Sequence, residues 1–339
     1  MAETAILLTN LGSPDSCEVK DVKTYLDEFL MDERVIDVPY LLRLLLVKGI
    51  IVPFRASKSA AKYATIWTKD GSPLVHTTKQ LAELVADYTG MPTYICMRYA
   101  NPNPQDALKK LSAENPDLKK VVMMPMYPHY AMSSFETAVE HIKDAYKKGN
   151  YKFELNIVEP FYNKTNYINA LSETIKPYTE KDFDHILFSY HGLPKRHLIK
   201  ADITGNHCLK SDTCCEVSSE AHKHCYKHQV IETTKLVTQK LNIPASKYSF
   251  SFQSRLAGDK WLQPYTDKLL EEFPKQGIKN VLVVCPAFVS DCLETLQEIH
   301  IEGREIFLNA GGENFTAIPC LNTNSKWVES VSELINETL

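Results

Sequence analysis

The chain has 339 residues, of which 44% are hydrophobic and 24% are charged, and its formal net charge is −4. This composition is ordinary for a folded protein and argues against the basic surface that nucleic-acid binding requires. No run approaches the roughly 18 apolar residues of a membrane-spanning helix, and the start, MAETAILLTNLGSP, lacks the basic region of a signal peptide.

Short apolar segments alternate with amphipathic helical segments along the whole chain. The predicted strands are 5–10, 93–99, 120–126, 153–160, 185–192, 248–254, 280–288 and 315–321. The predicted helices include 75–89, 104–114, 133–148, 164–178, 217–240, 263–274, 292–308 and 324–338. Because the strands are too apolar for one face of the sheet to be exposed to solvent, we expect parallel sheets covered by helices on both sides. The predicted fold class is α/β, with two similar Rossmann-like domains that each contain a four-stranded parallel sheet.

The predicted domain boundary lies where the segment KKGNYK interrupts the helical periodicity. We expect a first domain over residues 1–150 and a second over residues 151–322, which carries a cysteine-rich insertion at 205–228. The last predicted helix, within residues 323–339, is expected to pack back on the first domain.

Residues 29–54 form the most hydrophobic stretch of the chain, although charged residues, a proline and a glycine interrupt it. One interpretation is a buried helix of the first domain. The other is an apolar lip at the mouth of a cleft, which also rests on a membrane surface with Arg43 and Lys48 reaching toward headgroups.

The carboxyl ends of the predicted strands are rich in aromatic residues, and ligands of parallel sheets bind at these ends. Neither G-x-G-x-x-G nor G-x-x-x-x-G-K-[ST] occurs in the chain. The sequence therefore lacks the main motifs that would indicate binding of a dinucleotide or a nucleoside triphosphate. An aromatic cleft favours a flat, apolar ligand.

Two elements carry groups suited to proton and metal chemistry. His191 ends an apolar strand just before Gly192, where its ring could exchange protons near neutral pH or bind a metal. Farther along, Asp291, Glu294, Glu298 and Glu302 recur at a spacing that lines four carboxylates along one face of an α-helix. Oxygen ligands in a row suit the transient handling of a divalent cation or of protons, whereas the alternative is a solvated helix face.

Four of the nine cysteines lie within eighteen residues, at positions 208, 214, 215 and 225. In a chain without an export signal we expect a reducing, cytoplasmic environment, where clustered thiols bind a metal. Adjacent Cys214 and Cys215 fit a tetrahedral zinc site poorly and serve the two irons of a 2Fe-2S cluster more readily. The 2Fe-2S cluster is therefore preferred over zinc and over free thiols, with a structural or sensing role left open.

Eight motifs, in order across most of the chain, make the sequence resemble the ferrochelatases, which insert ferrous iron into protoporphyrin at the end of haem synthesis. The motifs are LLTNLGSP (7–14), YLDEFLMDERVID (25–37), YATIWTKDGSPL (63–74), MRYANP (97–102), PMYPHYAMSS (125–134), SYHGLP (189–194), FQSRLAGDKWLQP (252–264) and PAFVSDCLETLQEIHIEG (286–303). The resemblance implies two Rossmann-like domains with the porphyrin in the cleft between them.

The resemblance also implies roles for particular residues. His191 and Glu294 would face each other across the macrocycle and contact the substrate iron, while Asp291 and Glu298 would extend the acidic path from Glu294. The residues that would surround the porphyrin are Leu11, Tyr63, Ser72, Arg98, Tyr99, Tyr127, Ser254 and Trp261. The helix over 291–302 is expected to widen locally into a π-turn, a common feature of functional sites.

Two positions depart from the family pattern. Some members place one cluster cysteine just after the PxYPxY motif, where this chain has Met132, so its cysteines resemble those of bacterial members with an internal cluster. Cys292 stands where other members carry histidine, which puts a side-chain role at this position in doubt.

Several alternatives remain open from the sequence. The chain could act on coproporphyrin, insert cobalt or nickel into another tetrapyrrole, or carry a tetrapyrrole without catalysis. The apolar stretch 29–54 favours the less charged protoporphyrin, with ferrous iron as the second substrate. We expect a cytoplasmic monomer or homodimer. If residues 29–54 form the apolar lip, the protein would also contact the inner face of the membrane.

Overall fold

The computed structural model describes residues 2–255 and 260–339 of the chain. The described residues contain eight strands, and each lies where the sequence predicts one. The strands are β1 Thr4–Asn10, β2 Thr93–Met97, β3 Lys120–Pro125, β4 Glu154–Ile157, β5 His185–His191, β6 Tyr248–Gln253, β7 Asn280–Val284 and β8 Asn314–Ala317. Their aliphatic and β-branched side chains favour extended structure that is buried on both faces.

Helices fill the segments between the strands. They are α1 Val19–Leu30, α2 Tyr40–Leu44, α3 Val52–Ile66, α4 Pro73–Thr89, α5 Pro104–Glu114, α6 Thr137–Gly149, α7 Thr165–Thr179, α8 Lys195–Ala201, α9 Tyr226–Lys240, α10 Thr266–Glu272, α11 Arg304–Asn309 and α12 Ser325–Asn336. Three segments wind as π-helix: Leu45–Ile51, Met132–Glu136 and Leu293–Gly303. Short 3₁₀ turns occur at Glu220–Lys223, Ala245–Lys247 and Phe273–Gln276.

The predicted helix over 217–240 is shorter than expected. Only a 3₁₀ turn forms at Glu220–Lys223, and Cys225 then takes extended dihedral angles as the residue that precedes α9. The helix therefore begins directly after the last of the four clustered cysteines.

The first four strands form a parallel sheet in the order β2-β1-β3-β4. In β1, residues Ala5, Ile6, Leu7 and Leu8 have no exposed surface, as expected for a strand covered on both faces. Because β4 pairs with β3, this sheet extends beyond the predicted boundary at residue 150. The first compact unit comprises Met1–Met126, Met132–Glu159 and Val331–Leu339.

The second compact unit comprises Tyr127–Ala131 and Pro160–Ser330, and its parallel sheet has the order β6-β5-β7-β8. Leu187 of β5 and Val283 of β7 belong to a core that also contains Ile299 and Phe307. Ile299 lies in the π-helix Leu293–Gly303, so the core of the sheet anchors the helix that carries the glutamates. Full burial of such a side chain contributes about 1.5–3 kcal/mol to stability.

The apolar stretch 29–54 does not fold as a buried helix. Among its large hydrophobic side chains, Leu41 is 72% exposed, Leu45 is 69% exposed and Phe54 is 76% exposed. The expectation that Arg43 reaches outward is wrong, because its Nη1 donates to the carbonyls of Ile36 and Val38 at 3.1 Å each, and the residue is buried. Among the described residues, no helix is long and apolar enough to cross a membrane.

Candidate active site

His191 is the last residue of β5, at the carboxyl end of the second sheet, where the sequence predicts a functional histidine. Its Nδ1 lies 2.6 Å from the carbonyl oxygen of Gly192 and donates to it, since a carbonyl can only accept. In the neutral ring, Nε2 then carries the lone pair. The ring is half-buried, which leaves Nε2 as the atom that can take up a proton or bind a metal.

The peptide that joins His191 to Gly192 is held at both ends. The Tyr226 hydroxyl donates to the His191 carbonyl at 3.0 Å, and the Gly192 amide donates to the Gln253 carbonyl at 2.7 Å. A Cβ at position 192 would approach the Gln253 oxygen to 2.8 Å and the Trp261 ring to 3.3 Å. Glycine is therefore required for β5 and β6 to remain paired as far as His191.

Gln253, the last residue of β6, links the strand ends to the glutamate helix. Its Oε1 accepts from the Ser189 hydroxyl at 2.7 Å, and its Nε2 donates to the main-chain carbonyl of Glu294 at 2.7 Å. The residue is buried, so its amide is satisfied by these partners rather than by bulk water. Sequence reasoning missed this role, although a glutamine at the end of an apolar strand is a signal that could have suggested it.

The helix that carries the glutamates is a π-helix over its whole length, Leu293–Gly303, which extends the predicted local widening. The expectation of an α-helical face is wrong. In a π-helix each turn takes more residues, so positions four or five apart become neighbours. Thr295, Ile299 and Gly303 follow this spacing and are buried, and Glu294, Glu298 and Glu302 follow it one position earlier and are half-buried.

Asp291 does not belong to this row, because the helix begins after Cys292. Its Oδ1 accepts from the Thr295 hydroxyl at 2.8 Å, and its Oδ2 accepts from the Asn322 amide at 2.6 Å. Asp291 therefore fixes the loop that precedes the helix. Leu293 and Leu296, on the same helix, are only half-buried.

Glu298 and Glu302 line a cavity of about 290 Å³ in the second unit. Ser254 lies in the same cavity and donates its hydroxyl to the carboxylate of Glu298. Ser254 has a φ of 62°, an uncommon left-handed conformation for a residue with a side chain. The hydrogen bond from the Ser254 hydroxyl to the Glu298 carboxylate offsets the free-energy cost of this backbone conformation.

The first unit has a buried charged network after β2. The carboxylate of Asp32 accepts from the Arg98 guanidinium, the Thr137 hydroxyl and the Tyr99 hydroxyl, the last at 2.8 Å, and also from the Arg34 amide at 2.7 Å. Burial would raise the pKa of Asp32, but these hydrogen bonds and the charge of Arg98 together lower it. The carboxylate therefore stays ionised. Sequence reasoning assigned Arg98 and Tyr99 to the porphyrin and missed Asp32.

The remaining predicted porphyrin residues differ in exposure. Tyr99 is completely buried against Tyr25 and Phe29 and offers no surface to a ligand in this structure. A further set is almost fully buried: Tyr63, Ser72, Tyr127 and Trp261. Leu11 and Arg98 keep part of their surface exposed. The buried Nε1 of Trp261 has no acceptor among the described residues.

The four clustered cysteines are in contact through their sulfur atoms. Cys215 and Cys208 donate hydrogen bonds to Cys225 and lower its pKa, whereas the pKa values of Cys208 and Cys215 are raised. Cys214 Sγ lies 4.0 Å from Cys215 Sγ. Within residues 2–255 and 260–339, however, no three His, Cys, Asp or Glu side chains stand in an arrangement that would hold a metal ion.

Asp202 organises the loop that presents the first cysteine. Its carboxylate accepts from the main-chain amides of Thr204, His207 and Cys208 at 2.8–2.9 Å. Burial would raise the pKa of Asp202, but the Thr204 hydroxyl, which donates to it at 2.7 Å, and the three amide donors together lower it. The position of Cys208 is therefore set by the protein chain itself.

Comparison with known proteins connects these features to one family. The family model described as Ferrochelatase matches residues 3–339. A ferrochelatase of Opitutus terrae is 45% identical over 100% of this chain and 99% of that protein. Ferrochelatases of Pseudomonas entomophila and Stutzerimonas stutzeri are 45% and 44% identical and are also matched over nearly their full length.

Solved structures with the same architecture are more distant in sequence. SirB from Bacillus subtilis with Fe³⁺ has a TM-score of 0.57 at 11% identity, with 99% of this chain and 96% of that chain covered. The sirohydrochlorin chelatase SirB from Bacillus subtilis subspecies spizizenii, in complex with cobalt, has a TM-score of 0.56 at the same identity. At this identity the likeness establishes the two-sheet fold alone.

Proposed function

Since the chain belongs to the ferrochelatase family, we propose that it inserts ferrous iron into protoporphyrin IX to form protohaem, with His191 and Glu294 acting on the two sides of the macrocycle. The protein is a lyase of the chelatase type. The observation that carries the catalytic assignment is the hydrogen bond from His191 Nδ1 to the Gly192 carbonyl, because it leaves Nε2 as the basic ring atom.

The reaction needs groups that accept protons as well as groups that hold iron. When one Fe²⁺ enters the macrocycle, the two pyrrole N–H groups lose their protons, and the charge of the porphyrin core balances. His191 accepts a proton at Nε2, and the carboxylate of Glu294 is the second acceptor. Both side chains are half-buried, so they combine access to a substrate with partial exclusion of water.

Glu298 and Glu302 support the delivery of iron to Glu294. They lie four and eight residues further along the same π-helix and line one cavity. Carboxylate oxygens suit hard divalent cations, and Glu298 is also held by the Ser254 hydroxyl. We assign this row as the path for ferrous iron, with Asp291 fixing the start of the helix.

We assign two kinds of porphyrin residue. Leu11, Arg98 and Ser254 have exposed surface and would contact the macrocycle or its propionates directly. Tyr99 is completely buried and supports the site through Asp32. Tyr63, Ser72, Tyr127 and Trp261 would contribute through the little surface that they expose, and the Nε1 of Trp261 would find its acceptor in the ligand.

The four cysteines fit a 2Fe-2S cluster by their chemistry. Iron–sulfur clusters are held by cysteine thiolates, and here Cys208, Cys225, Cys215 and Cys214 form a continuous series of sulfur contacts. When bound, the cluster would crosslink a loop that has little apolar core of its own. Its proposed role is structural, because iron insertion involves no net redox change.

The cluster proposal is tested on anaerobically purified protein. We expect visible absorption, two irons and two sulfides per chain, and an EPR signal after one-electron reduction. Cys225→Ser should lose these signals, whereas Cys17→Ser, at a half-buried cysteine outside the segment, should keep them. Stoichiometric zinc without sulfide, in protein from iron-replete cells, would overturn the assignment.

The catalytic proposal is tested by an insertion assay with protoporphyrin IX or coproporphyrin and with Fe(II), Co(II), Ni(II) or Zn(II). Glu294→Gln should lower the rate of Fe(II) insertion by about 10²-fold or more and leave porphyrin binding measurable, because the amide cannot accept a proton. The matched control is Glu305→Gln, at an exposed glutamate of α11. Preference for coproporphyrin or for Co(II) or Ni(II) would favour the related chelatases, and tight porphyrin binding without turnover would indicate a carrier.

A further inference from the structure

The first residue of α9 connects the cysteine segment to His191. Cys225 precedes the helix, and Tyr226 begins it. The Tyr226 hydroxyl donates to the main-chain carbonyl of His191 at 3.0 Å, across 35 residues of sequence. Tyr226 is buried, so water does not replace this bond easily.

This hydrogen bond acts on a rigid unit. The His191 carbonyl and the Gly192 amide belong to the same planar peptide, and the amide donates to the Gln253 carbonyl at 2.7 Å. Tyr226 and Gln253 therefore hold the two ends of one plane. The next carbonyl, that of Gly192, accepts from His191 Nδ1, so a rotation of the plane would displace the acceptor that orients the ring.

The position of Tyr226 is itself well determined. Its ring packs edge-on against the buried His129, with 5.9 Å between the ring centroids. One turn later, Gln229 accepts from the Tyr130 amide at 2.7 Å and donates to the Lys223 carbonyl at 2.8 Å. At the other end, Cys225 accepts hydrogen bonds from two of the other clustered thiols. The start of α9 is thus fixed between the cysteine segment and the aromatic residues behind β5.

We propose that Tyr226 is a positioning residue for His191: its hydroxyl fixes the 191–192 peptide and thereby links the fold of the cysteine segment to the orientation of the imidazole. The inference rests on the proposed role of His191 in iron insertion. Tyr226 itself contacts neither the porphyrin nor the iron in this scheme.

The test is Tyr226→Phe, which removes only the hydroxyl. We expect kcat for Fe(II) insertion to fall by roughly 10- to 100-fold, while KM for protoporphyrin stays within about twofold, because the ring is misplaced but substrate contacts are kept. Tyr190→Phe is the matched control, since its hydroxyl is as buried and bonds Thr234 at 2.7 Å rather than His191. Wild-type kcat in Tyr226→Phe would overturn the proposal.

Hydrogen exchange provides a readout that does not depend on activity. The Gly192 amide should exchange faster in Tyr226→Phe and in Cys225→Ser, whereas the amides of β7 should keep their protection as evidence that the sheet is folded. If Cys225→Ser unfolds, Cys214→Ser provides the same comparison. Unchanged exchange at Gly192 in a folded cysteine variant would overturn the link to that segment. Full activity of His191→Ala would instead refute the proposed function.

Discussion

The two sheets of this protein have the same build and different chemistry at their carboxyl ends. Both are parallel, and their central strands β1 and β5 occupy equivalent places in the orders β2-β1-β3-β4 and β6-β5-β7-β8. β1 ends at Asn10, whose amide donates to the Thr78 hydroxyl at 3.1 Å, whereas β5 ends at His191. A shared scaffold thus leaves the chemistry to the residues that follow each strand.

The carboxylates of the two units differ in the same way. Asp32 in the first unit is buried, and a guanidinium, two hydroxyls and an amide satisfy it. Glu294 and Glu298 in the second unit are half-buried and lie on a π-helix with unusual spacing. We propose that the buried carboxylate of Asp32 serves stability, whereas the half-buried glutamates of the second unit handle the substrate.

The largest effect should come from exchanging the two strand-end residues for alanine. His191→Ala should lower Fe(II) insertion by about 10²- to 10⁴-fold, because it removes the proposed proton acceptor. Asn10→Ala should lower activity far less and cost about 1–3 kcal/mol of stability, since the Leu11 amide loses its acceptor, the side-chain oxygen of Asn10 at 2.9 Å. Steady-state kinetics and chemical denaturation measure both. Equal losses of activity would contradict the division of roles.

Asp32→Asn should have the largest effect on stability in the first unit. It leaves the Arg98 guanidinium, whose side chain is 12% exposed, without its counter-charge, which costs about 3–5 kcal/mol for a buried pair. Glu298→Gln should change the free energy of unfolding by less than about 1 kcal/mol and lower the rate of iron insertion instead. Chemical denaturation of both variants checks this, and a loss below about 1 kcal/mol for Asp32→Asn would refute it.

The pH dependence of stability should differ between wild type and Asp32→Asn. The folded-state pKa of Asp32 is lowered, so its contribution is present above the unfolded-state pKa of about 3.9 and is lost as pH falls through the folded-state pKa. The stability gap between the two proteins should therefore be constant near neutral pH and narrow in acid. Urea denaturation from neutral to acidic pH measures the gap, and a gap that widens in acid would contradict the assignment.

The smallest effect on stability is expected at the exposed apolar surface. Phe54→Ser should change the free energy of unfolding by no more than about 0.5 kcal/mol, because the side chain is 76% exposed. It should still weaken association with liposomes that contain anionic lipids, because one interpretation of residues 29–54 is an apolar lip that rests on a membrane surface. Tyr88→Ser is the control, since Tyr88 is 61% exposed on α4, outside this stretch. Equal liposome binding by all three proteins would remove the membrane role.

Local sequence signals predicted the fold well. The eight strands were found because their apolar runs are short and bounded by turn residues, and α5 begins at the predicted residue because Asn103 caps it and Pro104 opens it. The resemblance to the ferrochelatases supplied the family. Periodicity alone predicted one continuous helix over 217–240, whereas in the structure a 3₁₀ turn and the extended Cys225 precede α9.

The contacts within the sites were harder to predict, since they join residues that are distant in sequence. The bond between Asp32 and Arg98 spans 66 residues, and that between Gln253 and Glu294 spans 41. No periodic pattern reports such pairs. The prediction for Arg43 was wrong for a similar reason. A cation in an apolar stretch suggests contact with lipid headgroups, yet the Arg43 guanidinium donates to two main-chain carbonyls instead.

The winding of Leu293–Gly303 restricts how this segment can change in length during evolution. Glu294, Glu298 and Glu302 keep their relation to one another only while three residues separate each pair. A single deletion between them would return a turn to α-helical geometry and rotate every later carboxylate away from its place. Insertions or deletions between these glutamates should therefore be absent among natural variants of this chain, and substitutions should concentrate at positions less buried than Thr295 and Ile299.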